Sequence, residues 1–219
     1  FCIGPFCIGP VCVGDGRPVK GMGMKTVFVV GMCMAAADVT TAQMEIIRSA
    51  DILMGGRRHL DQFKELPAKK ELISGKVDET IRFIKRHRTD KRIVVLASGD
   101  PLFYGIGARI AAELDGEGLT IMPNITTVAA AFAHINEPWN DAVIVSLHGR
   151  DRRYHLLGAL KTRRSVAVLT DARQSPRWLA RWLMQKGVGA VKMAVFERLG
   201  MPQESWDWYT LDQAADQSF

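Results

Sequence analysis

The chain reads as an α/β protein whose strands are largely parallel. Three observations predict this. Apolar runs of strand length alternate with amphipathic runs of helix length over most of the 219 residues. The first such run, Lys25–Gly31, is β-branched and almost continuously apolar, as suits a strand covered on both faces. A small, flexible turn, Ser98-Gly-Asp-Pro101, sits where the run Arg92–Ala97 hands over to a helical run, Ala108–Leu114. In open α/β sheets ligands lie at the carboxyl ends of strands, so this turn is the expected ligand contact.

The elements follow in order. After the Lys25–Gly31 strand, Thr40–Ala50 is amphipathic, with Thr40 or Thr41 as cap and Met44, Ile46 and Ile47 on its apolar side. Ile52–Met54 and Glu71–Ser74 are short strand candidates. Asp78–Arg88 reads as a helix with Ile81 and Ile84 inward. At the key turn Gly99 admits a ligand close to the backbone, Asp100 suits a helix cap and Pro101 a first helical turn. Leu119–Pro123 is a strand and Thr126–Ile135 an alanine-rich helix. Pro138, within Asn136-Glu-Pro-Trp-Asn140, then breaks the pattern. Ala142–Leu147 restarts a strand, followed by a helix at Tyr154–Thr162 and a strand at Ser165–Leu169. Ser175–Lys186 is a helix with Pro176 in its first turn. Val191–Phe196 and Trp206–Thr210 are strands, and Leu211–Asp216 is a short helix.

Composition bounds the class. Charged residues at 24% and hydrophobic residues at 47% are ordinary for a soluble globular chain. The apolar runs are too short to span a bilayer, so no membrane partner is expected. A net charge of +6 suits an anionic partner: a phosphate compound, a polycarboxylate or nucleic acid. Residues 1–24 open with Phe-Cys-Ile-Gly-Pro in tandem and are expected to be a tag or disordered extension, with Met22 or Met24 as the natural start. Cys2, Cys7 and Cys12 lie there without zinc-site spacing, so no metal is expected, and Cys33 reads as an unpaired thiol. Nothing demands an oxidising compartment, so the cytoplasm is the expected location.

The longer string around the turn, Ser-Gly-Asp-Pro-Leu-Phe-Tyr-Gly-Ile-Gly107, resembles the signature of tetrapyrrole methyltransferases, most closely the precorrin/cobalt-precorrin C5-methyltransferases of cobalamin biosynthesis. Ser146-Leu-His-Gly-Arg150 is a second match. Gly55-Gly-Arg-Arg-His-Leu60, Pro138-Trp139 and Glu197-Arg-Leu-Gly200 are weaker ones, all in the family's order from about Lys25 to the end. The resemblance implies two unlike α/β domains with the cofactor cleft between them. The boundaries expected are 25–138 for the N-terminal domain and 139–219 for a C-terminal domain that is truncated.

The resemblance also implies an S-adenosyl-L-methionine-dependent methyltransferase acting at carbon 5 of a corrin precursor. Methyl transfer from a sulfonium needs in-line positioning and exclusion of water more than a nucleophile. No Gly-x-Ser-x-Gly or paired metal histidines stand out, in keeping with that chemistry. By resemblance the cofactor contacts are Gly31, Ser98, Gly99, Asp100, Phe103, Thr126, Thr127 and Leu169. Thr126 and Thr127 can donate to a carboxylate, and helix capping is an equal use of them. The first loop departs from the family's glycine-rich turn. It reads Gly31-Met-Cys-Met-Ala35, so Met32, Cys33 and Met34 are expected to narrow the approach at that edge.

The implied substrate is an anionic tetrapyrrole bearing several carboxylates. Arg57, Arg58, His148 and Arg150 sit at expected strand ends, where Arg offers a planar fork to such groups. Tyr104 is expected to face the ring or pack in the core. Arg152, Arg153, Lys161, Arg163 and Arg164 extend the basic region. A base is needed only if a proton leaves the methylated carbon, and the sequence nominates none. A carbon-15 methyltransferase/decarboxylase, fused or separate, and a homo-oligomer are partners consistent with the family.

Two other readings stand beside this one. An RNA ribose methyltransferase of the same superfamily suits the positive charge but lacks a recognition motif with interleaved aromatics. A non-catalytic tetrapyrrole-binding module suits the altered first loop. A dinucleotide-binding oxidoreductase fails, because Gly-x-Gly-x-x-Gly is missing and Asp51 precedes the second strand instead of ending it.

Overall fold

The structure, a computed structural model, describes residues 26–32, 38–115, 118–149, 151–162 and 165–219. The expected extension at 1–24, Cys33, Met34, Arg150, Arg163 and Arg164 lie outside the described residues. Five strands form one parallel sheet: β1 (Val27–Met32), β2 (Ile52–Gly55), β3 (Lys69–Leu72), β4 (Ile93–Ser98) and β5 (Leu119–Met122). Their order across the sheet is β3-β2-β4-β1-β5. The inner strands β1, β2 and β4 are buried almost throughout, which is why they read as unbroken apolar runs.

Helices cover both faces. Helices α1 (Thr41–Arg48) and α2 (Arg57–Asp61) put Ile47 and Leu60 onto one face, against Val30, Leu53 and Leu96. Helices α3 (Val77–His87) and α4 (Ile106–Glu113) put Ile81, Ile84 and Ile110 onto the other, against Val29, Met54 and Val95. The α1 crossover therefore leaves β1 over one face toward β2. The α4 crossover leaves β4 over the opposite face toward β5. The chain reverses its lateral direction between β1 and β4, and such a switch point opens a crevice at the strands' carboxyl ends.

Local chemistry explains the helix starts. Thr40 and Gln43 form a reciprocal capping box at α1, and Thr126 accepts from the Ala129 amide to cap α5 (Thr127–His134). Ser175 caps α7 (Pro176–Gln185), with Pro176 in the first turn.

The rest of the chain makes two smaller sheets. Strands β6 (Val143–Ser146) and β7 (Val166–Leu169) are parallel and joined through α6 (Arg153–Thr162). Strands β8 (Lys192–Glu197) and β9 (Ser205–Thr210) pair antiparallel, because the short connection between them leaves no room for a crossover. A separate core of Leu147, Leu156, Leu179, Leu183 and Leu211 underlies this half. Arg177 and Arg181 each donate from Nε to the Ala215 carbonyl, at 3.2 and 3.0 Å, tying α7 to the end of α8 (Leu211–Asp216).

Four local expectations are corrected. The third strand is Lys69–Leu72, earlier than Glu71–Ser74, since an edge strand tolerates the charged, exposed side chains that hide it from apolar patterning. A short helix, α2, follows the Gly55-Gly56 turn where none was expected. Asp100 and Pro101 do not start α4. Gly105 is the N-cap, and Asp100 instead accepts from the Leu102 amide at 2.8 Å within the preceding loop. Met32 does not narrow the crevice: its side chain is 1% exposed and packs in the core.

Candidate functional site

Three loops meet at the carboxyl ends of β4, β1 and β5. The Gly99 amide donates to the Met32 carbonyl at 2.6 Å, and Gly99 has a φ of +57°, the left-handed region that favours glycine. A Cβ placed on Gly31 would lie 2.2 Å from the Gly99 carbonyl oxygen and 2.7 Å from the Asn124 amide nitrogen. Only glycine fits there. Asn124 sews the third loop in place: Nδ2 donates to the Gly31 carbonyl at 3.2 Å and to the Asp38 carbonyl at 3.3 Å. Its Oδ1 accepts from the Ile125 amide at 2.8 Å. Buried Gln43 adds a donor to the Pro123 carbonyl at 3.0 Å, so α1 anchors the same loop.

The signature after β4 folds as a compact loop around Pro101. The Gly107 amide donates to the Pro101 carbonyl at 3.0 Å, and a Cβ on Gly105 or Gly107 would strike that oxygen at 2.6 or 2.7 Å. The Phe103 and Tyr104 rings meet edge to face at 4.9 Å. Tyr104 adopts a φ of +56°, and its hydroxyl donates to the Ile144 carbonyl on β6 at 3.2 Å. The loop is thereby hydrogen-bonded to the second half of the chain.

A polar cluster lies beside the bend. Arg58 Nη2 is 3.3 Å from His59 Nε2 and 3.4 Å from Ser98 Oγ, and Ser98 Oγ is 3.4 Å from the same His59 nitrogen. Arg58 and Ser98 are exposed, whereas His59 is buried. A guanidinium only donates, so a hydrogen bond from Arg58 requires the lone pair on Nε2 and the ring hydrogen on Nδ1. Burial first, and the Arg58 charge second, push the His59 pKa below its ordinary value.

At the second sheet, the loops after β6 and β7 lock together. Asp171 accepts from the amides of Gly149, Arg173 and Gln174 at 2.9, 2.9 and 2.7 Å, which holds its carboxyl below the usual range. His148 Nδ1 lies 3.4 Å from the Thr170 carbonyl, and Gln174 donates to the Leu147 carbonyl at 2.8 Å.

The structure thus brings Gly31, Ser98, Gly99 and Thr126 together: a Cβ on Gly99 would lie 3.3 Å from the Thr126 Cα. It also joins Arg58, expected at the substrate, to Ser98, expected at the cofactor. Arg57 and Thr127 are exposed at the first turns of α2 and α5. Leu169 ends β7, with its carbonyl taken by the Leu147 amide at 2.8 Å. His148 is exposed at the end of β6. Open depressions by Asp78 and Arg82, and by Thr170 and Pro176, have linings that include none of the bend residues. In open α/β sheets ligands bind at such a switch point, at the carboxyl ends of the strands.

The sequence did not single out Asn124, Gln43 or Asp171 as organisers of these loops, nor His59 as the partner of Ser98. Each acts through a distant backbone or side-chain group that only the fold brings near. A polar residue within a strand-to-helix turn is the one local signal Asn124 carries.

An open sheet with a glycine-lined switch point, joined to a second α/β half, defines a class. The chain belongs to the tetrapyrrole (corrin/porphyrin) methylases, matching that family over residues 26–214. Its relatives include the cobalt-precorrin-7 C(5)-methyltransferase of Salmonella typhimurium, 40% identical over 181 residues that cover 82% of this chain and 88% of that protein. Among solved structures, the precorrin-6Y methylase of Archaeoglobus fulgidus superposes with a TM-score of 0.66 at 25% identity, covering 85% of this chain and 90% of that one. The uroporphyrin-III C-methyltransferase of Thermus thermophilus, complexed with S-adenosylhomocysteine, shares the fold with a TM-score of 0.64 at 20% identity, covering 87% and 86%.

Proposed function

We propose that this chain transfers a methyl group from S-adenosylmethionine to carbon 5 of a corrin precursor in cobalamin biosynthesis. The observation that carries the reading is the bend in which Gly31, Gly99 and Asn124 pack backbone on backbone at the switch point. The 40% identical relative favours carbon 5 over the other acceptors of the family, and favours a corrin over RNA.

The residues present fit the donor. Glycines at 31 and 99 let the loops after β4 and β5 close on each other and on β1, and the Thr126 hydroxyl, which caps with its oxygen, keeps its hydrogen for a carboxylate. When bound, the donor supplies a methyl already activated by its sulfonium. The chain's own work is to orient and to exclude water. The proposed donor contacts are Ser98, Gly99, Asp100, Phe103, Thr126 and Thr127, in the segments at the ends of β4 and β5, with Leu169 at the end of β7. Arg57, Arg58 and His148 offer cation and hydrogen-bond contacts to an acidic macrocycle, with Arg150 proposed beside them; Tyr104, whose hydroxyl hydrogen goes to the Ile144 carbonyl, is proposed to meet the macrocycle through its ring. Residues 25–138 and 139–219 are read as two domains flanking the cleft, a division supported by their separate cores.

The test is calorimetric titration with S-adenosylhomocysteine, followed by a single-turnover methyl transfer to the cobalt-containing and cobalt-free precursors. Binding and transfer to carbon 5 are expected. Binding of the ring without transfer identifies the non-catalytic reading, and nucleic-acid affinity falling steeply with salt identifies the RNA reading.

A further inference from the structure

We infer that Ser98 and His59 form a hydroxyl–imidazole relay that takes the proton leaving the methylated ring carbon, with Arg58 governing access to it. The inference rests on the proposed methyl transfer and names a base for it.

A bridging carbon of a tetrapyrrole carries one hydrogen. Methylation forms a carbon–carbon bond there as the sulfur–carbon bond breaks with its electron pair on sulfur, and the ring is left with a positive charge. The carbon–hydrogen bond must then break so that its electron pair returns to the ring. The proton passes to Ser98 Oγ as the Ser98 hydrogen passes to His59 Nε2, giving an imidazolium protonated on both nitrogens. That proton leaves to solvent by the reverse path through Ser98, which restores both groups.

The geometry suits each part. Ser98 closes β4 immediately before Gly99 and is exposed, so a hydroxyl lies at the edge of the proposed donor seat. Behind it, His59 is only 6% exposed and presents Nε2 to Ser98 Oγ at 3.4 Å. Hydrogen bonds of this kind are often long without substrate and tighten in the complex. A hydrogen beside a ring cation is strongly acidic, so a weak base suffices. Burial first, and Arg58 second, hold the His59 pKa below its ordinary value, which favours the neutral ring before substrate arrives.

Arg58 is the charged group that acts on this ring among the described residues. Its Nη2 spans both relay atoms. A substrate carboxylate that draws the exposed guanidinium outward frees the Nε2 lone pair for the Ser98 hydrogen. It also removes the cation that opposes protonation of the ring. Substrate binding thereby switches the base on.

His59→Gln separates the two events, since it leaves Ser98 and the other proposed donor contacts in place. S-adenosylhomocysteine affinity checks that the variant is folded with its donor seat intact. In a single turnover, S-adenosylhomocysteine should form near the wild-type rate. The neutral product chromophore should appear about 100-fold more slowly. Deuterium at the methylated carbon should slow that phase further. In the wild type the phase should slow once acidification passes the His59 pKa, which burial holds below the ordinary imidazole value, as Nε2 takes up a proton, and His59→Gln should lack this limb. A chromophore that tracks S-adenosylhomocysteine at the wild-type rate in a folded variant overturns the relay and leaves the methyltransferase reading intact. If His59→Gln does not fold, the wild-type pH profile decides: a chromophore phase that stays flat on acidification overturns the relay. No methyl transfer by the wild-type protein overturns the function and the relay together.

Discussion

A β-carbon on Gly31 would stand 2.2 Å from the carbonyl oxygen of Gly99, closer than any real contact permits. The two glycines end adjacent parallel strands, and the register of β1 on β4 sets Gly31 beside Ala97. The bend at Gly99 can pass over β1 only because nothing projects from Gly31.

Replacing Gly31 with alanine forces this backbone apart. Overpacking of this kind costs about 1–3 kcal/mol. The expected outcome is a lowered melting temperature and S-adenosylhomocysteine affinity weakened by about tenfold or more. Thermal denaturation and calorimetric titration measure both. A Gly31→Ala protein with unchanged stability and affinity would contradict the close-packed cradle.

Tyr104→Phe removes the hydroxyl that donates to Ile144, while the ring contact with Phe103 stays. A single hydrogen bond contributes about 0.5–1.5 kcal/mol net, and the exposure of this one points to the lower end. Urea denaturation should show that small loss. S-adenosylhomocysteine affinity should hold, because the Gly99–Met32 bond shapes the bend without Tyr104. A large loss of donor affinity would place Tyr104 in the donor seat itself.

Stability should depend on pH through His134 and Glu204. His134 Nδ1 lies 2.9 Å from the Ala130 carbonyl, and Nε2 lies 2.7 Å from Glu204. The Ala130 carbonyl foremost, and then Glu204, raise the His134 pKa above 6.5. The Gly200 amide foremost, with His134 adding, lowers the Glu204 pKa below 4.5. The histidine's contribution is full below pH 6.5 and fades as pH rises through its folded value. The glutamate's is full above pH 4.5 and fades as pH falls through its folded value. Melting temperature should therefore pass through a maximum between these limits. His134→Gln should flatten the decline on the alkaline side, and a slope unchanged by that substitution would exclude the pair as its source.

Much of the fold is legible locally. Runs such as Ile93–Ala97 are buried on both faces, so they stay apolar without alternation. Caps at Thr40, Thr126 and Ser175 are short-range chemistry and read directly from residue type. The edge strand Lys69–Leu72 begins ahead of the apolar signal because its first three residues, Lys69, Lys70 and Glu71, are charged and not fully buried. The start of α4 was misplaced because Asp100 and Pro101 are good helix-starting residues used here to build a loop.

The seat of the reaction divides the same way. The signature around Gly99, the basic pair Arg57-Arg58 and the family they imply could be read from the residues alone, since each is contiguous. The meeting of Gly31 with Asn124, 93 residues apart, and of His59 with Ser98, 39 apart, could not. Those contacts follow from the strand order that puts β1 between β4 and β5 and β2 beside β4. Strand order is set by how helices of both crossovers share the burial of one sheet, a property of the assembled cores and of no local stretch of chain.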